Sequence, residues 1–374
     1  MTSIYDSQGL DRLFRELKLD PGRLTQLRRD LFKRGLPFED AIRAMGLSDA
    51  TRTADELLKI ERSFLTLDST ASSDEDGTVK LLLRTKGGRP VESVLLRSVS
   101  GRLTLCVSSQ SGCALGCLFC ASGEIRPVVD LNRDEILNQL DAAQRLLTEL
   151  TPDQGRVGQR KTRPINQRIQ NIVFMGMGEP LQNESALHAS LDMLLAPEVF
   201  DYAPRRIMIS TIGRTDAMIR FAKRQPDVRL AVSLHSARQE TRDRLMPGAR
   251  RWPLDELRRT IQEVGRIQGR PLMIEYVLLR DENDGANDLA ALLDYLDGLN
   301  VRVNLLPYNG PTPDVQPDAI DGMSPFQASL PETSETFFRA LCEKDIETTR
   351  RNSRGGDVSA ACGQLAGRAD QKTR

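Results

Sequence analysis

Three closely spaced cysteines carry the most chemistry in this 374-residue chain. Cys113, Cys117 and Cys120 follow the spacing Cys-x3-Cys-x2-Cys. Cysteine thiolates are the usual ligands of iron–sulfur clusters, and four of them normally complete a four-iron site. Three thiolates leave one iron open, and an open metal position is a place where a small molecule can bind and react. The spacing therefore predicts a 4Fe-4S cluster with one open iron.

This spacing is typical of enzymes that bind S-adenosylmethionine (SAM) at the open iron and cleave it to a radical. The alternatives are a structural zinc loop and reduced thiols in a core. Structural zinc normally takes four ligands arranged as two pairs, and no second pair lies near Cys113–Cys120 in the sequence. We therefore favour a radical SAM site.

The composition limits the class and location of the protein. Fifty-two basic residues balance 52 acidic ones, which does not exclude a nucleic-acid partner because charge can be concentrated locally. No apolar run could span a bilayer, and the first residues do not resemble a signal peptide. We expect a cytoplasmic protein with no membrane partner. Its six cysteines are then expected to serve metal or redox chemistry rather than a disulfide framework. No coiled-coil pattern occurs, so we expect a monomer.

The hydrophobic pattern predicts an α/β fold with four parts. Residues 1–66 are expected to form a small N-terminal helical domain that binds RNA, and residues 67–101 a linker, flexible over 68–77, and a β-hairpin turned at Gly87-Gly88. Residues 102–348 are expected to form the core, and residues 349–374 a C-terminal segment. Six short apolar runs, rich in β-branched residues, alternate with amphipathic stretches in the core. The runs are Leu103–Val107, Asn171–Met175, Arg206–Ser210, Arg229–Leu234, Pro271–Leu278 and Val301–Leu306. They predict a partial, open, TIM-like (β/α)6 barrel.

Polar motifs follow these predicted strands at their carboxyl ends. The three-cysteine loop follows the first strand, Gly176–Pro180 the second, and Ser233, His235 and Ser236 the fourth. Barrels of this kind place their chemistry at that face. The pattern therefore predicts one site assembled from several strand ends.

Two basic segments are candidates for contact with RNA. One lies on the second predicted helix and contains Arg23, Arg28, Arg29, Lys33 and Arg34 against a single acid, Asp30; the other is the insert Gln154–Gln170. Either could contact an RNA backbone. The alternatives are a solvated helix face for the first and a surface loop for the second.

Three cysteines lie outside the cluster motif. Cys106 precedes it on the first predicted strand, and Cys362 lies in a small, glycine-rich segment that predicts a mobile loop. Cys342, in the helix-like stretch Phe337–Lys344, is expected to be inert and buried.

The chain resembles the RlmN/Cfr family of radical SAM RNA methyltransferases over nearly its whole length. The matching motifs are Cys106-Val-Ser-Ser-Gln-Ser-Gly-Cys113, Gly176-Met-Gly-Glu-Pro180, Ser233-Leu-His235 and Ala360-Ala-Cys-Gly-Gln-Leu365. The resemblance implies that an adenine ring carbon is methylated by a radical route, with two SAM molecules used per turnover. Such a carbon is electron-poor and cannot attack the methyl sulfonium of SAM directly.

The same resemblance assigns roles to residues. It implies that Cys362 carries the methyl group as S-methylcysteine, and that Cys106 releases the tethered RNA by forming a transient disulfide with Cys362. It also implies that Glu92 accepts the ring proton, although a solvent-facing hairpin glutamate is the alternative. A further set of residues would line the SAM site. They are Gly178, Glu179, Ser210, Ser233, Leu234, His235 and Asn309.

The resemblance does not specify which adenine carbon is methylated or in which RNA. RlmN-type members methylate C2 of an adenosine in the peptidyl-transferase region of 23S rRNA, and some also methylate tRNA; Cfr-type members methylate C8 of the same adenosine and confer antibiotic resistance. We favour C2 because housekeeping enzymes outnumber resistance enzymes. Other classes are a radical SAM enzyme with a non-RNA substrate and a zinc-containing RNA-binding protein. The low potential of the reaction suggests flavodoxin or ferredoxin as electron donor.

Overall fold

The computed structural model describes residues 2–47, 50–150, 168–310 and 326–367. Within them, one mixed sheet of ten strands forms the centre of the fold. In spatial order these strands are β1 (Leu65–Ser72), β2 (Val79–Thr85), β3 (Pro90–Arg97), β4 (Leu103–Val107), β7 (Asn171–Phe174), β8 (Ile207–Thr211), β9 (Arg229–Ser233), β10 (Leu272–Leu278), β11 (Val301–Pro307) and β12 (Glu347–Arg350). A separate two-stranded ribbon joins β5 (Gln110–Ser111) to β6 (Val129–Asp130).

The six predicted core strands are confirmed, each to within one or two residues. They are β4 and β7 to β11, and every neighbouring pair among them is parallel. Their central residues are buried on the core side, as expected for strands covered by helices. The α/β class and the open, barrel-like arrangement of these strands therefore follow the prediction.

Two strands of the main sheet were not predicted, and neither were the ribbon strands β5 and β6. The first is β1, which pairs antiparallel with β2 over residues assigned to a flexible link. The prediction of a flexible link over residues 68–77 is therefore wrong for residues 68–72, which belong to β1. The hairpin is part of a three-stranded extension that continues into the barrel sheet through the antiparallel pair β3–β4. The second is β12, which pairs parallel with β11 and adds a seventh parallel strand to the core.

The helices cover the outer face of the sheet and form the N-terminal part. Their bounds are α1 (Ser7–Glu16), α2 (Pro21–Arg28), α3 (Phe38–Ala44), α4 (Ala50–Leu58), α5 (Arg133–Leu150), α6 (Glu184–Leu195), α7 (Thr215–Arg224), α8 (Gln239–Leu245), α9 (Leu254–Gln268), α10 (Ala286–Leu296) and α11 (Pro331–Glu343). In the N-terminal part, Asp6 caps α1 by accepting from the N–H of Gly9, and Asp20 caps α2 by accepting from that of Gly22. None of the described helices is both long and apolar enough to cross a membrane.

The N-terminal helices share one hydrophobic core with the barrel. Tyr5 and Phe32 pack against Phe200, which follows α6 in the barrel; the ring centroids of Phe32 and Phe200 are 4.5 Å apart. On the other side, the Asn138 Oδ1 of α5 accepts hydrogen bonds from the backbone N–H groups of Phe64 and Leu65. These contacts fix the start of β1 against the first barrel helix.

Candidate active site

The cluster loop connects β4 to α5 and is held in place by backbone hydrogen bonds. The N–H of Cys113 donates to the carbonyl of Ser122 over 2.9 Å, and that of Leu118 donates to the carbonyl of Leu245 over 2.9 Å. The loop also approaches Gly248 so closely that a Cβ there would lie 2.7 Å from the Leu115 carbonyl oxygen. The loop between Cys113 and Cys120 is therefore anchored at its ends and its middle.

The three thiols of this loop are protonated when nothing is bound to them. Burial raises the pKa of Cys113 to about 12 and raises the pKa of Cys117 and Cys120, and the thiols also raise one another's pKa. Such mutual effects require that the three sulfur atoms lie near each other. A bound metal centre favours the thiolate form and reverses this shift.

The loop fits an iron–sulfur cluster. All six cysteines are free thiols, so none of the three is committed to a disulfide. No three histidine, cysteine, aspartate or glutamate side chains of the described residues converge on a point where a single metal ion would sit. In a four-iron cluster each thiolate binds a different iron, so its ligands stand apart from one another.

The Gly176–Pro180 loop follows β7 and passes close to β4. A Cβ on Gly176 would lie 2.7 Å from the Oγ of Ser108 and 2.8 Å from the carbonyl oxygen of Val107, so only glycine fits there. Gly178 has φ +96°, in the range that favours glycine. The loop ends in the buried Glu179, whose N–H donates to the Gln110 Oε1 over 2.9 Å.

The carboxylate of Glu179 is held by the backbone of neighbouring segments. Its Oε1 accepts from the N–H of Leu181 over 3.0 Å, and its Oε2 accepts from the N–H of Ile212 over 2.8 Å. Burial raises its pKa, and the hydrogen bond from Ile212 opposes that shift. A carboxylate has about four lone-pair sites, so it can accept further hydrogen bonds from a ligand.

Ser210 and Ser233 meet at the ends of the neighbouring strands β8 and β9, with their Oγ atoms 3.3 Å apart. Beyond β11, the Nδ2 of Asn309 donates weakly to the carbonyl of Cys362 over 3.4 Å. The strand ends that the sequence predicted to meet therefore do lie at one edge of the sheet.

His235 is buried directly after β9 and faces the cluster loop. Its Nδ1 accepts a hydrogen bond from the N–H of Val277 over 3.0 Å, which leaves the proton of the neutral ring on Nε2. The ring makes an edge contact with Phe119, at 5.0 Å between centroids. Burial, with a smaller contribution from Arg242, lowers the pKa of His235 to about 3. The imidazole is therefore a neutral donor at physiological pH.

This histidine makes the stability of the fold depend on pH. Its pKa is lower in the folded than in the unfolded chain, so its contribution is present above about pH 6.5 and is lost as the pH falls toward 3. Between pH 7 and pH 5 the loss is about 2 kcal/mol. Urea unfolding of wild type and His235→Asn at both pH values measures it. We expect the wild type to lose about 2 kcal/mol more than the variant; equal losses would contradict the assignment.

A cavity of about 460 Å³ opens beside the cluster loop and brings together three of the cysteines. Cys106, Cys120 and Cys362 all line it, as does Asn309. Cys106 projects from β4 opposite Val94 of β3. Burial, with a smaller contribution from Cys362, raises the pKa of Cys106 to about 12. Cys106 and Cys362, 256 positions apart in sequence, thus face the same cavity.

The segment that carries Cys362 is packed, which corrects the prediction of a mobile loop. Val358, Ala360 and Leu365 are buried in a small apolar cluster with Cys106 and Val94. Its backbone is tied at both ends. Gly355 N–H donates to Asp76 Oδ2 over 3.0 Å, Ser122 Oγ donates to the Leu365 carbonyl over 2.7 Å, and Gln364 Nε2 donates to the Gly310 carbonyl over 2.7 Å.

Cys342 was expected to be buried, and this prediction is wrong. It lies on the exposed side of α11, because the residues of that helix that face the core are Phe337 and Leu341. A position next to Leu341 in sequence is turned by about 100° around the helix axis. Cys342 therefore lies outside the candidate site.

Glu92 is fully buried, so the alternative of a solvent-facing hairpin glutamate is wrong. It lies on β3, and its Oε1 is 3.5 Å from the Nζ of Lys80 on β2, which is itself 4% exposed. Glu92 and Val94 are two residues apart on one strand and therefore share a face. Val94 lines the cavity, so the Glu92 side chain lies on the cavity side of the sheet without itself being one of the lining residues.

Glu275 and Arg351 were missed by the sequence analysis. Glu275 is buried on β10; burial raises its pKa, while Arg351 and hydrogen bonds with Asn304 and Ser210 lower it. Arg351 lines the cavity, and Cys362 raises its pKa most, followed by Glu275. A carboxylate in the otherwise apolar run Leu272–Leu278 was a usable signal. Nothing in the local sequence distinguishes Arg351 from the arginines beside it.

Of the basic N-terminal residues predicted to contact RNA, Arg23 donates to the Met45 carbonyl and the other four each lie near an aspartate. Arg28 lies 3.9 Å from Asp11, Arg29 and Arg34 both contact Asp30, and Lys33 contacts Asp201 at 3.0 Å. Their interaction with RNA stays a prediction. The basic insert 154–170 lies outside the described residues except at its end, where Arg168 stacks over Tyr202.

Comparisons with known proteins agree with this geometry. Residues 107–296 match the radical SAM superfamily. The whole-chain structure of a radical SAM methyltransferase from Sphaerobacter thermophilus superposes with a TM-score of 0.83 at 33% identity, covering 98% of this chain and 100% of the other. The fold and the three-cysteine loop thus define a radical SAM enzyme.

Similar curated proteins show to which group of radical SAM enzymes this chain is related. A probable RNA methyltransferase from Rhodopirellula baltica is 38% identical over 97% of this chain and 87% of its own length. The dual-specificity RNA methyltransferase RlmN of an Anaeromyxobacter species is 38% identical over 96% of this chain and 88% of its own length. The chain belongs to the RlmN/Cfr family of radical SAM RNA methyltransferases. Membership implies a 4Fe-4S cluster and SAM as cofactors and RNA as substrate.

Proposed function

We propose that this RNA methyltransferase methylates C2 of an adenosine in the peptidyl-transferase region of 23S rRNA, through a methylated Cys362 and a transient protein–RNA adduct. The observation that carries the proposal is the single cavity lined by Cys106, Cys120 and Cys362. A radical SAM enzyme without a thiol carrier needs the cluster cysteines but has no use for two further thiols facing the same space. Methylation of a tRNA adenosine at the same site is the second activity that we infer from the dual-specificity relatives.

The cluster would be held by Cys113, Cys117 and Cys120, with SAM at the open iron. When bound, it supplies the electron that cleaves SAM to methionine and a 5′-deoxyadenosyl radical. The SAM site would be lined by the residues that surround this position at the strand ends. They are Gly178, Glu179, Ser210, Ser233, Leu234, His235 and Asn309. Neutral His235 and the remaining lone pairs of Glu179 offer a donor and an acceptor there.

Cys362 would act first, as a nucleophile. Its thiolate would attack the methyl carbon of one SAM and displace S-adenosylhomocysteine, which leaves Cys362 as S-methylcysteine. The guanidinium of Arg351, which lines the same cavity, stabilises a thiolate there. Because Cys120 also lines this cavity, a methyl group on Cys362 would face the side of the cavity at which the second SAM would be cleaved, and would lose a hydrogen atom to the radical formed there. The methylene radical would then add to the adenine carbon, and the adduct would regain its aromatic ring by losing the ring proton and one electron, for which the oxidised cluster would be the acceptor.

Release of the product would need a base and a second thiol. Glu92 is the proposed acceptor of the ring proton, and its ion pair with Lys80 compensates the buried charge of each. The Cys106 thiolate attacks the Cys362 sulfur, forming a disulfide and releasing the methylene carbon, which is protonated to a methyl group. Since burial raises the pKa of Cys106 to about 12, this thiol is protonated before the reaction, and its proton would be released as it attacks. External reductant then restores both thiols, and flavodoxin or ferredoxin is the proposed donor for the cluster.

The product of the reaction tests the proposal. Anaerobically reconstituted enzyme, reduced and supplied with SAM, is incubated with a 23S rRNA fragment containing the peptidyl-transferase loop. Mass spectrometry of the digested RNA is expected to detect 2-methyladenosine, with no product when the reductant is omitted. Detection of 8-methyladenosine instead would show that C8 is the methylated carbon. If a protein with an intact cluster formed no methyladenosine, the proposed function would be overturned.

A further inference from the structure

The described wall of the cavity around Cys362 carries only positive charge. The residues that line it include three arginines, Arg350, Arg351 and Arg354, and no aspartate or glutamate. All three lie in one short segment that leaves the end of β12. Asn352 and Ser353, between them, are exposed, so this segment forms part of the opening of the cavity to solvent.

Arg350 is already neutralised. Side chains alternate along a strand, and Arg350 projects from β12 toward α11, where its Nη1 lies 2.5 Å from the Oε2 of Glu335. Its guanidinium also stacks over Phe338, 4.8 Å from the ring centroid. This arginine therefore has a structural role on the outer side of the sheet.

Arg351 and Arg354 have no such partner. Among the described residues, neither has a carboxylate within the 4.0 Å of an ion pair. Arg354 donates from Nη1 to the carbonyl of Arg97 over 2.8 Å, which leaves most of its five N–H donors unused. Both side chains are half-buried. Arg351 interacts electrostatically with Cys362 and Glu275, whereas Arg354 has no anionic partner among the described residues, and a half-buried guanidinium without a counter-ion is less stable than one paired with an anion. The opening of the cavity is therefore suited to binding an anion.

We propose that Arg351 and Arg354 bind the phosphodiester groups that flank the nucleotide whose base enters the cavity. This inference depends on the proposed function, because it takes the anion to be the RNA backbone. An enzyme that acts on a base must take the base out of its stack, and the sugar and phosphates then remain at the entrance of the pocket. Guanidinium groups match phosphate oxygens with two parallel hydrogen bonds.

The opening is better suited to this role than the N-terminal helices. There, each basic side chain of the cluster Arg28, Arg29, Lys33 and Arg34 is already paired with an aspartate. A phosphate would have to compete with those carboxylates. At the opening of the cavity it would meet two guanidinium groups that have no carboxylate partner among the described residues.

Salt dependence of RNA binding tests the proposal. The dissociation constant of the reconstituted enzyme for the 23S rRNA fragment is measured over a series of KCl concentrations, for wild type, Arg354→Gln and Arg351→Gln. Each neutral variant is expected to bind roughly tenfold more weakly and to lower the slope of log K against log[salt] by about 1. Arg354→Lys retains the charge and should keep the slope. Arg259→Gln, an exposed position on the outer helix α9, is the matched control and should behave as wild type.

The outcomes separate this inference from the proposed function. If wild type methylates the fragment but neither neutral variant changes the salt slope, the phosphate site is wrong while the function stands. If wild type makes no methyladenosine at all, the function itself fails. A purely structural role for Arg354 would lower affinity in both Arg354→Gln and Arg354→Lys without changing the slope, and this also overturns the inference.

Discussion

Replacement of Cys362 by alanine is expected to abolish RNA methylation. The alanine has no sulfur to take the methyl group from the first SAM, so nothing near the cluster can carry a methylene radical to the adenine. Loss of a covalent nucleophile reduces turnover by roughly a thousandfold or more. The fold should persist, since Cys362 is exposed to the cavity and the segment around it is held by neighbouring residues. Mass spectrometry of the digested rRNA fragment measures the effect.

The matched control is Cys342→Ala. This cysteine is exposed on α11, outside the cavity, and its replacement should leave methylation at the wild-type level. Both variants should bind the same amount of iron and sulfide, because Cys113, Cys117 and Cys120 are unchanged. Methyladenosine formed by Cys362→Ala at the wild-type rate would show that the methyl group does not pass through this thiol.

Replacement of Cys106 by alanine is expected to trap the enzyme on its substrate. Methylation of Cys362 and addition to the RNA do not use Cys106, so both proceed, but the thiol that breaks the tether is gone. The protein should then accumulate as a covalent complex with RNA, at most one per enzyme. On a denaturing gel this complex migrates as a slower protein band that ribonuclease treatment removes.

The double variant Cys106→Ala/Cys362→Ala is the control for this experiment. It should form no slower band, because the carbon–sulfur bond to RNA requires Cys362. Release of methylated RNA by Cys106→Ala over many turnovers would contradict a resolving role for Cys106. The burial of Cys106 between Val94 and Ala360 predicts that the single variant remains folded, since the change removes only one sulfur atom from a small apolar cluster.

The core strands could be predicted from the sequence because each is a short apolar run that ends at polar residues. Runs such as Leu272–Leu278 are buried on both sides of the sheet, and that burial is visible in their composition. The strands that were missed have the opposite character. β1 and β12 lie at the two edges of the sheet, and their sequences, Leu65–Ser72 and Glu347–Arg350, are mostly polar because much of each strand is exposed. Only their pairing partners identify them as strands.

The features of the candidate site also fall into two groups, those that the local sequence reveals and those that depend on the fold. The cysteine spacing and the glycines of the Gly176–Pro180 loop could be read locally, since both are set by contacts within a few residues. The pairing of Glu92 with Lys80 and the place of Arg351 in the cavity could not, because they depend on which strands are neighbours. Cys106 and Cys362 could be singled out because the chain resembles a known family. That they line one cavity is visible only in the fold.

The attachment of the C-terminal segment also has a consequence for how the enzyme is made. Its hydrogen bonds reach back 243 residues, from Leu365 to Ser122, and 279 residues, from Gly355 to Asp76. Chains are synthesised from the N-terminus and their early parts fold first. The cluster loop and all seven parallel strands precede Cys362 in the chain and can therefore begin to form before the segment that carries it. The segment that carries Cys362 therefore packs against partners, Ser122 and Asp76, that come much earlier in the chain.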